Sequence, residues 1–387
     1  MQKRIPTVYM RGGTSKGLFF HEHDLPQDPE IRDRVILAAY GSPDPNCRQI
    51  DGVGGAVSTT SKVGIISKSK DPSYDVVYQF GQVSIEKPIV EYQGNCGNMS
   101  AAVGPFAVDE YLVRAEEPVT QVRIHQKNTN KLIVADVPVK EGCHDEEGEC
   151  FIDGVPCAGS RITLRFCDPG GSLTGRLFPT GNLKDNLEIP GIGPVELSII
   201  DAANPVVLIS ASEIGLTGIE IEEVDQSDII RKKLEAIRSS AAVRLGFATT
   251  AEETTQRSRS VPKIAFVAPS QPYTDLCSRV VEKENIDLVA RIMSMGTLHK
   301  SYAVSGAIAT IGAALIEGTV VNEMLNSENT TKEILRIGHP GGIIEVGAKI
   351  KKQGNAYEYK EAIVIRTARR LMEGNVLVPE KYFCKRM

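Results

Sequence analysis

One stretch limits the fold of this chain more than any other: Gly94-Asn95-Cys96-Gly97-Asn98-Met99-Ser100-Ala101-Ala102-Val103-Gly104. A β-rich run over 75–92 precedes it, in which Val76, Val77, Tyr78, Phe80, Val83, Ile85, Ile89, Val90 and Tyr92 recur, and a helical run over 100–113 follows. The cysteine is therefore expected in a turn at the mouth of a helix, where glycine and asparagine tolerate the backbone angles required. A helix that opens on such small residues lets strands wrap closely around it. Its first N–H groups and its dipole welcome an anion, and the same field favours thiolate over thiol at Cys96. A reactive sulfur beside an anion site suits removal of a proton next to a carboxylate. The competing reading is an inert cysteine buried in a turn; the flanking Gly-Asn pairs favour chemistry.

Upstream of this stretch, residues 10–20 read strand, turn, strand around Arg11-Gly12-Gly13-Thr14-Ser15-Lys16-Gly17. The spacing is wrong for a phosphate-binding P-loop, but glycines, hydroxyls and two cations make a carboxylate-binding turn; an exposed hairpin is the plainer alternative. Residues 29–40 read as an amphipathic helix with Asp28 as N-cap and Pro29 at its first position. A second glycine-rich loop, 51–62, runs into an apolar strand, 63–66. The strand that follows argues against a dinucleotide fingerprint, which needs a helix there. Lys62 stands at the loop–strand junction. Held out of full solvent it is a usable base; taken alone, it is an ordinary strand-end lysine.

Residues 119–139 read as a hairpin turning at Asn128-Thr129-Asn130, with His125 as a sheet residue. The segment 141–149 is an acidic solvated loop, and 161–181 has the turn chemistry of a passage between domains. From 195 the pattern restarts: strands at 195–201 and 206–209, a helix over 228–247, a strand at 264–267, a helix over 286–296, and a small-residue helix ending near 316. Two β runs, 334–350 and 357–367, close the chain around a turn at 353–355. Ser305-Gly306-Ala307-Ile308-Ala309 echoes the small-residue helix of the first half, so two such helices would aim their N-termini at one ligand.

A chain of 387 residues implies two domains. The net charge of −5, with 41% hydrophobic and 24% charged residues, offers no footprint for nucleic acid or an anionic membrane. No apolar run spans a bilayer and no secretory leader is visible. The expected compartment is cytoplasmic, with eight reduced cysteines. Cys143, Cys150, Cys157 and Cys167 are spaced too widely for paired zinc ligands, and neither a metal nor an organic cofactor is expected.

Together these loops carry a resemblance. Arg11 to Gly17, Asp51-Gly52-Val53-Gly54-Gly55 through Ser61-Lys62, Gly94 to Asn98, His299-Lys300 and Arg336-Ile337-Gly338-His339-Pro340 occur in order across nearly the whole chain. They resemble the PrpF-type isomerases of the diaminopimelate-epimerase-like fold. That family includes methylaconitate cis-trans isomerase, 3-methylitaconate Δ-isomerase and 4-oxalomesaconate tautomerase. The resemblance implies an α+β fold of two pseudo-symmetric domains, each a β-barrel-like sheet around a central helix. We expect residues 1–185 to form the first domain, carrying Lys62 and Cys96, and 186–387 the second, with the final strands able to cross back. The family's lysine and cysteine fall on Lys62 and Cys96, and Arg11, Thr14, Ser15, Lys16, Ser61, Gly97, Asn98, Met99, Ser100, His299 and Lys300 become candidate substrate ligands. Racemase and epimerase relatives use two cysteines, and the position around Ser305 carries none here, which favours Lys62 as the partner of Cys96.

The implied activity is a cofactor-independent proton shift on an unsaturated di- or tricarboxylate, of the methylaconitate, methylitaconate, aconitate or oxalomesaconate class. The alternatives are a non-catalytic carboxylate-binding accessory protein and an amino-acid epimerase or racemase. The expected partner is the small substrate alone, without nucleic acid or membrane; a homo-oligomer is compatible with it.

Overall fold

Residues 1–325, 333–354 and 356–384 are described in the computed structural model. The chain divides into two units, Met1–Leu164 with Arg366–Met387, and Arg165–Ile365. In the first, β1 (Gln2–Gly12) and β2 (Ser15–His21) form a hairpin, followed by α1 (Pro29–Tyr40), β3 (Lys62–Lys68), β4 (Val76–Val83), β5 (Val90–Glu91), α2 (Gly97–Asp109), β6 (Val119–Gln126) and β7 (Lys131–Lys140). β2 pairs parallel with β3, β3 antiparallel with β4, β4 parallel with β6, and β6 antiparallel with β7. The strand Ala368–Pro379 returns antiparallel along β1. Its Arg369, Arg370, Glu373 and Asn375 break any apolar alternation, and the sequence reading did not single it out as a strand.

Strand alternation sorts the side chains of this unit onto two faces. Leu18, Phe20, Val63, Ile65, Val83 and Val90 join Val35, Ile36, Ala39 and Tyr40 of α1 in one apolar cluster. The alternate residues, Phe19, Lys62, Tyr78, Phe80 and Gln82, therefore face the other way, and Phe19 meets Phe106 of α2 at 5.7 Å between ring centroids. α1 forms as its ends predict: Asp28 accepts from the Glu30 and Ile31 amides at 3.0 and 3.3 Å, and Gly41 closes the helix with φ 70°.

α2 is buried from Gly97 to Val108 and packs on β1, β2, β3, β4, β6, β7 and Ala368–Pro379. Its composition permits this enclosure. A β-carbon on Gly104 would stand 2.6 Å from Val137 Cγ2, so the β7 side chains pack this closely only because the glycine has none.

The second unit repeats the plan. The helix Val304–Ala314 is buried throughout and packs on the strands Gly193–Ala202, Asn204–Ser210, Ile334–His339 and Gly342–Gln353. The helix Asp228–Arg244 adds Leu234, Ile237 and Ala241 to a core with Ile264, Phe266 and Val289. The helix expected over 286–296 is instead the strand Leu288–Ser294, with every residue buried. A short strand covered on both faces loses the alternation that distinguishes it from a buried helix. Of the turn expected at 353–355, Asn355 lies outside the described residues. Each unit thus holds one wholly buried small-residue helix among strands, an α+β architecture.

Candidate active site

Cys96 is the N-cap of α2, and Gly97 is the first helical residue. The helix starts three residues earlier than the expected Ser100, which brings the sulfur directly to its N-terminus. Lys62 opens β3, and alternation points it at the α2 side. The side chains meet: Lys62 Nζ donates to Cys96 Sγ at 3.1 Å. Lys62 is 6% exposed and Cys96 8%, so this contact is shielded from bulk water. Lys62 Nζ also stands 5.6 Å from the centroid of the Phe80 ring. An amine and a thiol at this distance become an ammonium and a thiolate by transfer of one proton, two states of equal net charge, and a helix N-terminus favours negative charge placed beside it.

The backbone of Lys62 is pinned as firmly as its side chain is placed. Tyr40 Oη accepts from the Leu18 amide at 2.8 Å and donates to the Lys62 carbonyl. Gly17 lies opposite Lys62 in the parallel register, and a β-carbon there would come 1.7 Å from the Lys62 oxygen. The glycine-rich loop before Lys62 is organised by Gln49, whose Oε1 accepts from Ser61 Oγ at 2.7 Å and from the Ala56 amide at 2.9 Å. Gln82 Nε2 donates to the carbonyls of Ser58 and Ser61 at 3.1 and 2.9 Å.

The β1–β2 turn lies against the first turn of α2. Asn98 Nδ2 donates to Thr14 Oγ1 at 3.1 Å, and Asn98 Oδ1 accepts from the Thr14 amide at 3.4 Å and from Arg366 Nε at 3.2 Å. Burial pushes the Arg366 guanidinium down to about 10. Arg11 does not reach outward: one terminal nitrogen donates to the Gly13 carbonyl and to the carbonyl and hydroxyl of Thr367, all at 3.0–3.1 Å. Burial, then the Arg369 charge, lower its pKa. Ser15 Oγ is buried without a hydrogen-bond partner. Lys16 Nζ stands 5.5 Å from the Tyr9 ring centroid. Met99 is fully buried core, and Ser100 Oγ bonds Asn95 Oδ1 and the Cys96 carbonyl at 3.3 and 3.1 Å.

His299 and Lys300 belong to the second unit. His299 is buried, its Nδ1 accepting from the Ser301 amide at 3.1 Å. Lys300 is exposed and pairs with Asp225 at 2.8 Å. Near the Ser305 position, Asn204 Nδ2 donates to Ser305 Oγ at 3.0 Å. Sequence reasoning passed over Tyr78, Gln82 and Arg366. The first two sit in the alternation of β4 like any strand residue, and Arg366 reaches Asn98 from 268 positions away. Among the described residues no group of three His, Cys, Asp or Glu side chains has metal-holding geometry, and no helix is long and apolar enough to cross a membrane.

With this geometry established, comparison with known proteins is decisive on ancestry. The family described as PrpF protein matches residues 2–379. The chain belongs to the PrpF family. It is 45% identical to the 3-methylitaconate isomerase of Eubacterium barkeri, over 97% of this chain and 98% of that one. It is 42% identical to the 2-methyl-aconitate isomerase of Shewanella oneidensis, over 98% of each. A crystal structure of a methylitaconate-delta-isomerase superposes with a TM-score of 0.78 at 43% identity, covering all of this chain and 98% of the other. A hydroxyproline epimerase from Agrobacterium vitis, only 13% identical, shares the fold with a TM-score of 0.55 over 97% and 94% of the two chains. The expected diaminopimelate-epimerase-like fold and the isomerase class of this PrpF protein both stand.

Proposed function

We propose that this PrpF protein moves a proton along the allylic frame of an unsaturated di- or tricarboxylate, without a cofactor, using Lys62 and Cys96 as acid and base. The observation that carries the reading is their 3.1 Å contact at the N-terminus of α2. The named substrates of its relatives, 3-methylitaconate, 2-methyl-aconitate and, in a 37% identical tautomerase, 4-oxalomesaconate, supply the substrate class.

One member of the pair takes the proton from a carbon in conjugation with a carboxylate. The C–H electrons move into the carboxylate as an enolate, and the double bond shifts along the frame. The other member returns a proton at the far carbon, and the pair re-equilibrates across its own hydrogen bond, so no net proton is gained or lost. Stabilising the enolate charge is the demanding part, and fixed dipoles and cations contribute most to such reactions. The first unit supplies the N-terminus of α2 and the Lys62 ammonium. Candidate carboxylate ligands in this unit are Thr14, Ser15, Lys16, Ser61, Gly97, Asn98 and Ser100; His299 and Lys300 are candidates by the family resemblance alone. Arg11 belongs to this candidate set through the turn it holds, and Met99 through its buried place in the first turn of α2.

The test is incubation of the purified protein with each unsaturated acid, and in parallel with a panel of amino acids, in D₂O containing EDTA, followed by proton NMR. Deuterium entering the allylic positions together with the shifted isomer is the expected result. Binding without exchange would leave a carboxylate-binding accessory protein, and exchange confined to the α-carbon of an amino acid would make it an epimerase; either overturns the proposal.

A further inference from the structure

The 3.1 Å contact between Lys62 Nζ and Cys96 Sγ sets a primary amine against a sulfur, and such a pair has a second chemistry besides proton exchange. The thiolate is the form of cysteine that oxidants attack, and the sulfenic acid it yields condenses with a thiol or with a nitrogen. Its fate depends on which partner stands closer. All eight cysteines are free thiols, and Cys96 alone among them is buried, the other seven lying at least partly in solvent. A resolving thiol would have to be brought to this sulfur; the amine is already there. Both ends of the contact are also held. Tyr40 Oη donates to the Lys62 carbonyl, Cys96 caps α2, and Lys62 Nζ stands 5.6 Å from the Phe80 ring centroid. Well-aligned groups in one molecule react as if at a concentration on the order of 10⁵ M or more, which no dissolved thiol approaches.

We propose that Lys62 and Cys96 are the site of a reversible oxidative crosslink, a sulfenamide, formed with hydrogen peroxide. The thiolate attacks one peroxide oxygen. The S–O bond forms as the O–O bond breaks, and the sulfur loses the two electrons that the peroxide gains. The departing hydroxide takes a proton from the Lys62 ammonium and becomes water. Lysine is then a neutral amine with the lone pair that the next step needs. It attacks the sulfur, the S–N bond forms as the S–O bond breaks, and the hydroxyl leaves with one amine hydrogen as a second water. One peroxide is consumed, two waters are formed, and the protein becomes lighter by two hydrogen atoms. The flexible lysine stem supplies the closer approach that the covalent bond requires. The crosslink occupies both groups assigned to proton transfer, so turnover stops while it lasts. It also keeps the sulfur from the irreversible sulfinic state. A dithiol reopens it: one thiol takes the sulfur and frees the amine, and the second displaces Cys96 as a thiol. Access rests on the proposed function, since a route that brings a carboxylate substrate to this pair also admits the smaller peroxide.

The test treats the purified protein with increasing hydrogen peroxide, maps the peptides containing residues 62 and 96 by mass spectrometry, and measures turnover of the unsaturated acid alongside. The expected result is one joined species, lighter by two hydrogen atoms than its two parts. Turnover should be lost in step with that species, and dithiothreitol should restore both the separate peptides and the full rate. Lys62→Arg keeps a cation beside the sulfur but offers no neutral amine. In that variant Cys96 should be trapped by dimedone as sulfenic acid and pass on to sulfinic acid, with no crosslink. If Lys62→Arg fails to fold, the map of the natural protein decides alone. Cys96 sulfinic acid beside unmodified Lys62 in the natural protein overturns the inference. So does a disulfide from Cys96 to another cysteine, a bridge that retains an oxygen atom, or an untouched Cys96 while the exposed cysteines oxidise. A protein that turns over none of the acids refutes the proposed function; one that turns over its substrate and forms no crosslink refutes this inference only.

Discussion

Replacing Tyr40 with phenylalanine removes one oxygen atom, and the structure says what that atom holds. Tyr40 Oη accepts from the Leu18 amide and donates to the Lys62 carbonyl, bridging the parallel strands β2 and β3 where Lys62 begins its strand. The tyrosine is fully buried among Leu18, Val63 and Ile65, so Tyr40→Phe opens no cavity and admits no water. It leaves two buried backbone groups unpaired at about 1–3 kcal/mol each. Allowing for relaxation of one of them, the loss comes to about 2–4 kcal/mol, or roughly 30- to 1000-fold in the folding equilibrium. The chain has no tryptophan, so urea unfolding is best followed by far-ultraviolet circular dichroism. Two compact units can unfold in separate steps; the loss belongs to the transition of the unit containing residues 1–164. In low urea, kcat should also fall, because the strand that presents Lys62 has lost its anchor. A midpoint change worth less than about 0.5 kcal/mol would refute the bridge as a stabilising element. A full stability loss with unchanged kcat would refute its role in placing Lys62.

Two further predictions follow from named side chains. Lys62→Ala should lower kcat by about 10²–10⁴-fold, the usual contribution of a general acid–base group, and Lys62→Arg should be nearly as damaging, since arginine keeps the charge but holds its proton; full rescue by arginine would make Lys62 an electrostatic clamp only. Burial holds His144 down to about 4, with the Arg11 charge acting in the same direction and Asp145 opposing it. A histidine depressed in the folded state takes up protons on unfolding, so its contribution is complete above the unfolded value near 6.5 and is lost as pH falls from there to about 4, at up to about 1.4 kcal/mol per pH unit. Unfolding midpoints of His144→Gln measured from pH 7 to pH 4 should fall less steeply than those of the natural protein; equal slopes would exclude the residue as a source.

The sequence carried local signals well and distant ones poorly. Asp28 and Pro29 announce α1 because N-capping is a local interaction. The Gly-Asn turn around Cys96 announces the start of α2 because a helix mouth needs those residues. The helix proposed over 286–296 is a strand because seven consecutive buried residues carry no period of two. Arg11 looked like a free cation in a glycine turn, yet its guanidinium bonds Thr367, 356 positions along the chain. Arg366 stood in no motif, although it buries its guanidinium against Asn98. Side-chain partners at such separations exist only after folding, and one sequence has no local pattern that records them.

The same distinction explains why the Lys62–Cys96 contact follows from simple rules once the fold is given. A helix of small residues must be enclosed by strands, and its N-terminus must open on whatever those strands present. β3 lies beside β2, with Gly17 opposite Lys62 because any larger residue would strike the Lys62 carbonyl. Alternation sends Val63 and Ile65 to the α1 face and so leaves Lys62 on the α2 face. A lysine whose strand is fixed this way, beside a cysteine fixed by a helix cap, has no freedom to drift apart from it. The apolar choices at 63 and 65 are thus part of the geometry of the candidate site. A substitution that turned β3 over by one register would bury valine against Cys96 and expel the lysine into the α1 core. The cost of burying that ammonium unpaired keeps the register where the proposed chemistry needs it.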